Sequence, residues 1–410
     1  MNGKKLALLS GLLLTTACTS TTKTKDVLPL TTNSPVLQSP EEEKLLRKSQ
    51  RAHDELVEKG LIVRNVAANN YVASIASTLA PAFNHPKIKL NYYILKDASV
   101  NASALPNGNI YLNVGLITKL ASEEQLAFVI AHEIAHVVKR HGLLKTISSK
   151  NTIASSHVVN MFLMGTNIIY FATLNDLASF SRETEDEADY EAMKIIAQTN
   201  INLNEGAEAI RRLKQVKHAK ESSSIWGSHD SIEDRIDTYY QRVEQHQWNL
   251  STSEPAIENY QIFRAELAKQ VIDIRIRNKQ FELAEDVISQ ELELAPKNAM
   301  LYFYLGEVNR LKVQEFEAAA KEYSWLYDQK NDEQLKALLR ENHIAYLDSA
   351  KQSYEKAIAI DETFTLSYRG LGMLALAENE KEKAKYLFNK YLKTDGIRDR
   401  RYIESLRDSI

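Results

Sequence analysis

Cysteine is all but absent. Cys18 is the only one in 410 residues, so no disulfide can staple the fold, and stability has to come from a sizeable core. Glycine and proline are scarce, at 13 and 8 residues, which leaves few tight turns and points to a helix-rich chain. Neither sign of charge is in excess: 51 Lys and Arg against 54 Asp and Glu leave a net charge of −3, which makes no case for a nucleic-acid partner. Clean long apolar runs are missing too. Leu6–Leu14 is too short to span a bilayer, and the apolar stretch 153–178 is interrupted by His157, Asn160, Asn167, Asn175 and Asp176, which disfavours a membrane-integral protein. What is present is an ordinary globular balance, 44% hydrophobic and 26% charged, over a length that suits two or three domains.

The first residues carry a leader. Lys4 and Lys5 precede the apolar Leu6–Leu14, and Thr15-Thr16-Ala17 lead to Cys18, the layout of a secretory signal over 1–17. It resembles a bacterial lipoprotein signal, with Thr15 where a leucine is usual and Leu14 one place early. Cleavage before Cys18 would put a lipidated cysteine at the new terminus and anchor the chain to a membrane; an ordinary signal cut nearby is the alternative. Thr19 is not the Asp that resembles an inner-membrane retention signal, which favours the outer membrane. Residues 18–40 are rich in Thr, Ser and Pro and read as a flexible lipidated tether. A polar boundary near 247–258 then separates a first domain, 41–248, from a helical one, 260–410.

The first domain is organised around Ala131-His132-Glu133-Ile134-Ala135-His136. Residues four apart share one face of a helix, so His132 and His136 can offer two imidazoles to one metal ion. Glu133 sits about 100° around the helix, suited to taking a proton from water rather than to ligating. This H-E-x-x-H pattern predicts a zinc site with Glu133 as general base. Ser122 and Gln125 predict the start of its helix as a capping box. Upstream, Ile88–Leu95 and Asn109–Val114 read as strands joined by the turn-rich Asn101–Gly108, with Asn107-Gly108 as a hairpin signal. Downstream, His141 lacks the glycine and spacing of a third histidine ligand. A five-residue helical step would turn it about 140° off the face, so it reads as a solvated or capping residue. The stretch 153–178 reads as a helical hairpin, either a lid over the site or plain core.

Two later stretches bear on the same chemistry. In Ser181–Asp189 and onward, Glu185 and Asp189 share one helix face while Glu183, Glu187 and Glu191 share another. Spacing alone does not choose between them. A zinc site needs one carboxylate ligand and one carboxylate behind a histidine, and the Glu185/Asp189 pair supplies both. Ser228-His229-Asp230, with Arg235 following, could stabilise an oxyanion; His229 could instead fill an open metal position and keep the site latent.

From Tyr260 onward a 34-residue spacing predicts tetratricopeptide-like repeats. Ala284, Ile288 and Pro296 close one unit, and Tyr302, Leu305, Gly306 and Ala318 form the next. Ala350, Tyr354 and Ala357 precede the clearest unit, which holds Tyr368, Leu371, Gly372, Ala375, Ala384, Phe388 and Tyr391. The segment Asp328–Asn342 breaks the period.

Taken in order, HEIAH, S-R-x-x-E-x-E-A-D and S-H-x-x-x-x-x-R resemble the zinc metallopeptidase family of HtpX and the CAAX-prenyl endoproteases, over about residues 45–245. With the leader and the repeats, the chain is similar to that family's periplasmic branch. The resemblance implies a mainly α fold with a small β-sheet, a gluzincin-type metallopeptidase domain followed by an α-helical repeat domain. It implies one zinc per chain held by His132, His136 and Glu185, with Glu133 as base and Asp189 behind a histidine. His229 and Arg235 match the family's downstream pair, although Asp230 replaces the usual proline. An edge strand would bind extended substrate, with Asn109, Ile110, Tyr111, Leu112 and Asn113 as the candidate. The implied function is an endopeptidase of the periplasm, anchored to the outer membrane, that clears misfolded or stalled envelope proteins, its repeats docking substrate or the β-barrel assembly machinery. The rival is a repeat-based chaperone or scaffold with minor proteolysis, which has no physical need for Glu133.

Overall fold

In a computed structural model the chain is described over residues 27–31, 40–80, 83, 85–150, 180–214, 232–250, 257–329 and 333–410. Cys18 and the leader, the stretch 153–178 and His229 lie outside the described residues. The amino half runs α1 (Pro40–Glu58), α2 (Val66–Leu79), β1 (Asn91–Leu95), β2 (Ala102–Ala104) and β3 (Asn109–Asn113). It continues with α3 (Val114–Lys119), α4 (Glu123–Val138), α5 (His141–Lys150), α6 (Arg182–Ile196), α7 (Asn204–Lys214) and α8 (Ile232–Gln245). The carboxyl half holds α9 (Glu258–Arg277), α10 (Phe281–Leu294), α11 (Ala299–Gln314), α12 (Phe316–Leu326), α13 (Glu333–Glu341), α14 (His343–Ile360), α15 (Leu366–Ala377), α16 (Lys381–Leu392) and α17 (Arg400–Asp408). The expected mainly helical fold with one small sheet is the fold observed. Among the described residues no helix is long and apolar enough to cross a membrane.

Helix α4 is the axis of the amino half. Every residue from Gln125 to Val137 is buried, and α2, α6, α7 and β2 pack around it. Its start is capped as the Ser122/Gln125 spacing predicts, with one shift. Ser122 Oγ accepts the Gln125 N–H at 3.2 Å, but Gln125 Oε1 reaches back to the Ala121 N–H, at 2.8 Å, rather than to that of Ser122. Such a cap is worth about 1 kcal/mol. The helix ends at Arg140, whose φ of 58° is the left-handed turn that commonly closes a helix.

The sheet corrects two expectations. Its order is β1-β3-β2. The Asn107-Gly108 turn does make a hairpin, with Gly108 at φ 90°, but the antiparallel partner of β3 is β2, in register Ala102↔Leu112 and Ala104↔Ile110. The strand within Ile88–Leu95 pairs with β3 in parallel instead, from Asn91↔Asn109 to Leu95↔Asn113. Three small residues, Ala102-Ser103-Ala104, carry no alternation to reveal a strand. In consequence Asn109, Ile110, Tyr111, Leu112 and Asn113 form the middle strand, buried throughout. Both sides of β3 are already paired, so it cannot accept a substrate strand; the edges of the sheet are β1 and β2.

Two boundaries also move. Part of the expected tether is fixed: Leu30 is buried, its N–H donates to the Val138 carbonyl at 2.7 Å, and Arg140 donates to the Leu28 carbonyl at 3.3 Å. The expected cut before residue 260 falls inside a core. Tyr260, Phe263, Leu267 and Val271 of α9 pack with the residues around α4. The Tyr260 hydroxyl donates to the Ile117 carbonyl at 2.7 Å and Arg275 donates to that of Ala98 at 2.8 Å, so α9 serves both halves.

In the carboxyl half the expected small positions lie between helices. Ala284, Ala350, Ala357, Ala375 and Ala384 are buried. The Tyr354 ring fills the space between Gly306 on α11 and Gly370 on α15, where an added Cβ would come within 2.6 and 2.4 Å of it. The segment that breaks the period contains α13, and α11 packs chiefly against α14.

Candidate metal centre

Two helices build the site. α4 presents His132, Glu133 and His136, all buried, and α6 packs against it and presents Glu185 and Asp189, also buried. The inner stripe of α6 is therefore the Glu185/Asp189 pair. The outer stripe answers a different charge: Lys139 Nζ lies 2.8 Å from Glu187 and 2.9 Å from Glu191. Ser181 caps α6 by accepting the Thr184 N–H.

The ring nitrogens His132 Nε2 and His136 Nε2 approach to 3.0 Å. Glu185 Oε2 lies 3.2 Å from His132 Nε2, and its Oε1 lies 3.7 Å from His136 Nε2. One ligand atom from each of His132, His136 and Glu185 falls within 4.8 Å of the others. All four carboxylate oxygens of Glu133 and Glu185 are buried without a well-aligned hydrogen-bond donor. Buried anionic oxygens beside two facing imidazole nitrogens are costly by themselves. A cation between them resolves that cost, so the residues fit a metal ion. Two nitrogens and one carboxylate are the ligand chemistry of a catalytic zinc with an open position.

Each histidine is held from behind. His132 Nδ1 lies 3.0 Å from Asp189 Oδ1, and Arg235 grips Asp189 with both arms, Nε to Oδ2 at 2.6 Å and an Nη to Oδ1 at 2.7 Å. Arg235 was expected at the oxyanion. The structure instead commits its guanidinium to Asp189, on the Nδ1 side of His132 and away from Nε2, so it positions the histidine through the carboxylate. His229, its expected companion, lies outside the described residues.

His141 corrects the second expectation. It is fully buried, with Nδ1 at 2.8 Å from His136 Nδ1 and Nε2 at 3.3 Å from Glu187. The helical-wheel argument failed because the helix ends before it: the left-handed turn at Arg140 folds α5 back onto α4. Phe180, too, was missed. Its ring stacks on His136 at 4.0 Å and 14°. One signal pointed to it, an apolar residue just before the Ser181 cap, where a hydrophobic staple sits.

The electrostatics follow from burial and these partners. Burial, opposed by His132 and reinforced by Glu185, pushes Glu133 up to about 8. Burial works against His132 as a cation, yet hydrogen bonds to Asp189 and Glu185 carry it up to about 10. Burial also opposes ionisation of Asp189, but Arg235 and His132 hold it well below the usual carboxylate range. Burial and the neighbouring positive groups hold His136 well below its ordinary value. Asp189 is thus held ionised between Arg235 and His132 while His136 is kept neutral, and shifted groups gathered in one buried place mark a functional site.

Comparison with known proteins agrees with this geometry. Residues 67–243 match peptidase family M48. The chain is 23% identical over 199 residues to a putative beta-barrel assembly-enhancing protease of Vibrio cholerae, covering 45% of this chain and 41% of the relative. It is 27% identical over 136 residues to the mitochondrial metalloendopeptidase OMA1 of Schizosaccharomyces pombe, covering 33% and 40%. It is 33% identical over 114 residues to protease HtpX of Legionella pneumophila, covering 27% and 40%. The chain spans about two fifths of the length of these relatives.

Proposed function

Proceeding from a peptidase family M48 domain at residues 67–243, we propose that the chain is a zinc-dependent endopeptidase of the bacterial periplasm. It cleaves misfolded or stalled envelope proteins, outer-membrane β-barrel precursors among them. The observation that carries this reading is the convergence of His132, His136 and Glu185 beside the unpartnered carboxylate of Glu133.

His132, His136 and Glu185 would hold one zinc ion per chain, which would supply Lewis-acid chemistry to the scissile carbonyl and the attacking water. Glu133 takes the proton of the attacking water and returns it to the leaving amine, a role suited to a carboxylate whose proton affinity is raised. Asp189, steadied by Arg235, fixes the tautomer and direction of His132. The short strand β2, alongside α4, is the sheet edge at which an extended peptide would pair; main-chain pairing reads shape more than sequence, which suits unfolded substrates.

The leader, with lipidation at Cys18, would place the enzyme on the periplasmic face of the outer membrane. The carboxyl half would act as tetratricopeptide-like repeats that dock substrate or the β-barrel assembly machinery; the name of the Vibrio cholerae relative, a putative beta-barrel assembly-enhancing protease, supports that partner. A repeat-based scaffold is the rival reading.

One experiment separates them. The mature chain, with its bound zinc quantified, is compared with Glu133→Gln on an unfolded protein substrate. One zinc in each, with cleavage only by wild type, supports the peptidase. Zinc without cleavage in either favours a scaffold or a latent enzyme, which His229→Ala then tests by release of activity. No zinc in wild type overturns the reading.

A further inference from the structure

Helix α5 brings a third imidazole to the site, and nothing in the ligand set or the general-base step uses it. His141 is wholly buried, edge-on to His136 with ring centres 4.9 Å apart at 76°. Phe180 covers both rings, flat on His136 and edge-on to His141. The polar contacts of His141 run in two directions, from Nδ1 to His136 Nδ1 at 2.8 Å and from Nε2 to Glu187 Oε2 at 3.3 Å. Beyond Glu187 stands Lys139 at 2.8 Å.

We propose that His141 is a positioning residue that sets the tautomer and the angle of the His136 ring for metal binding, with Glu187 as the anchor of the chain. This rests on the metallopeptidase reading and adds to it a second support line, distinct from Asp189 and Arg235. His136 must turn an unprotonated Nε2 toward His132 and Glu185, so in its neutral form the proton sits on Nδ1. That N–H needs an acceptor, and the atom 2.8 Å away is His141 Nδ1. For that nitrogen to accept, the proton of His141 must sit on Nε2, where Glu187 is the acceptor. A carboxylate ionised by Lys139 thus fixes two tautomers in succession.

The two ligand histidines are then unequal. His132 is backed directly by an anion, His136 by a neutral ring that passes on only part of an anion's pull. Supports of this kind change metal affinity by about 10- to 100-fold when removed.

The test reads zinc affinity by competition with a chromophoric chelator, in the full chain and without substrate. His141→Phe keeps the ring volume and loses the acceptor. His141→Asn places an amide oxygen near the position of Nδ1 and keeps it. Wild type is expected to hold one zinc, His141→Phe to bind about 10- to 100-fold more weakly, and His141→Asn to recover most of the loss. Cobalt-substituted protein should show a changed visible spectrum in His141→Phe and a wild-type one in His141→Asn. If His141→Phe fails to fold, Glu187→Ala on the half-exposed face of α6 takes its place and is expected to weaken zinc several-fold. Wild-type affinity in His141→Phe, or equal weakening in both His141 variants, would overturn the relay while leaving the peptidase reading intact. Absence of zinc from wild type would overturn both.

Discussion

The two halves of the molecule differ in their buried carboxylates. Among the described residues of the carboxyl half these groups are answered, as Asp189 and Glu42 of the amino half are by Arg235 and Arg140. Glu291 pairs with Arg264, Glu307 meets Arg310 and the Tyr354 hydroxyl, and Glu322 accepts the Glu282 and Leu283 N–H groups at 3.0 and 3.2 Å, capping α10. In the amino half Glu133 is buried with both oxygens unanswered, and Glu185 faces only the imidazole nitrogens of His132 and His136. Pairing by arginine or backbone donors holds helices in register. Its absence at Glu133, beside two converging histidines, leaves a carboxyl group available for chemistry. A buried ion pair is weak evidence of anything beyond structure, whereas an unanswered carboxylate in a closed core needs a reason.

The contrast is broken most directly at Glu133. Glu133→Gln should cost cleavage about 10²- to 10⁴-fold, the usual weight of a general base, while zinc content stays at one per chain. Thermal stability should hold or rise, because a buried carboxyl group without a hydrogen-bond donor gives way to a neutral amide of the same shape. A falling melting temperature would mean that Glu133 is structural after all.

The opposite experiment, Glu291→Ala, strands Arg264 in the core. It should destabilise the protein by about 3–5 kcal/mol in denaturant melts and leave zinc binding unchanged. If zinc is lost as well, the two halves are not separable in this way.

Glu322 sharpens the comparison through pH. Burial, only partly offset by its backbone donors, pushes it up to about 7. A carboxyl group with a raised folded value favours the fold fully below its unfolded value near 4.5, and that contribution fades as pH rises through 7. Between pH 5 and 8 the carboxyl half should therefore lose up to about 3 kcal/mol. Glu322→Gln should flatten that slope; an unchanged slope would place its cause elsewhere.

Arg235→Ala is expected to show the smallest effect, about 10- to 100-fold in zinc affinity, through loss of the grip on Asp189. A loss of turnover at full zinc occupancy would return Arg235 to the substrate's oxyanion.

The parts of this arrangement that could be read from the sequence are those governed by helical period. His132 and His136 lie four apart, as do Glu185 and Asp189, and regular helices deliver both pairs to one point. The capping residue Ser122 marked where the first of those helices starts. What escaped was set by breaks in the period or by packing between distant segments. His141 follows a left-handed turn at Arg140, which no wheel projection carries through. β2 consists of three small residues beside a longer strand that looked like the better hairpin partner. Leu30 sits in a Thr- and Pro-rich stretch whose composition argued for a tether, yet its backbone hydrogen-bonds to the end of α4. For α9 the helix itself was expected, but a helical assignment does not say which core the helix will meet.

That helix has a mechanical consequence. Because α9 contributes Tyr260, Phe263 and Leu267 to one core and Ile272 to the next, the border between the halves is a seam and not a hinge. The carboxyl helices keep a set bearing on the catalytic face, like a gauge clamped to a workbench. Under the proposed docking role, a chain held on them would reach the metal site by its own length, and how far a client extends from its folded part would decide where it is cut.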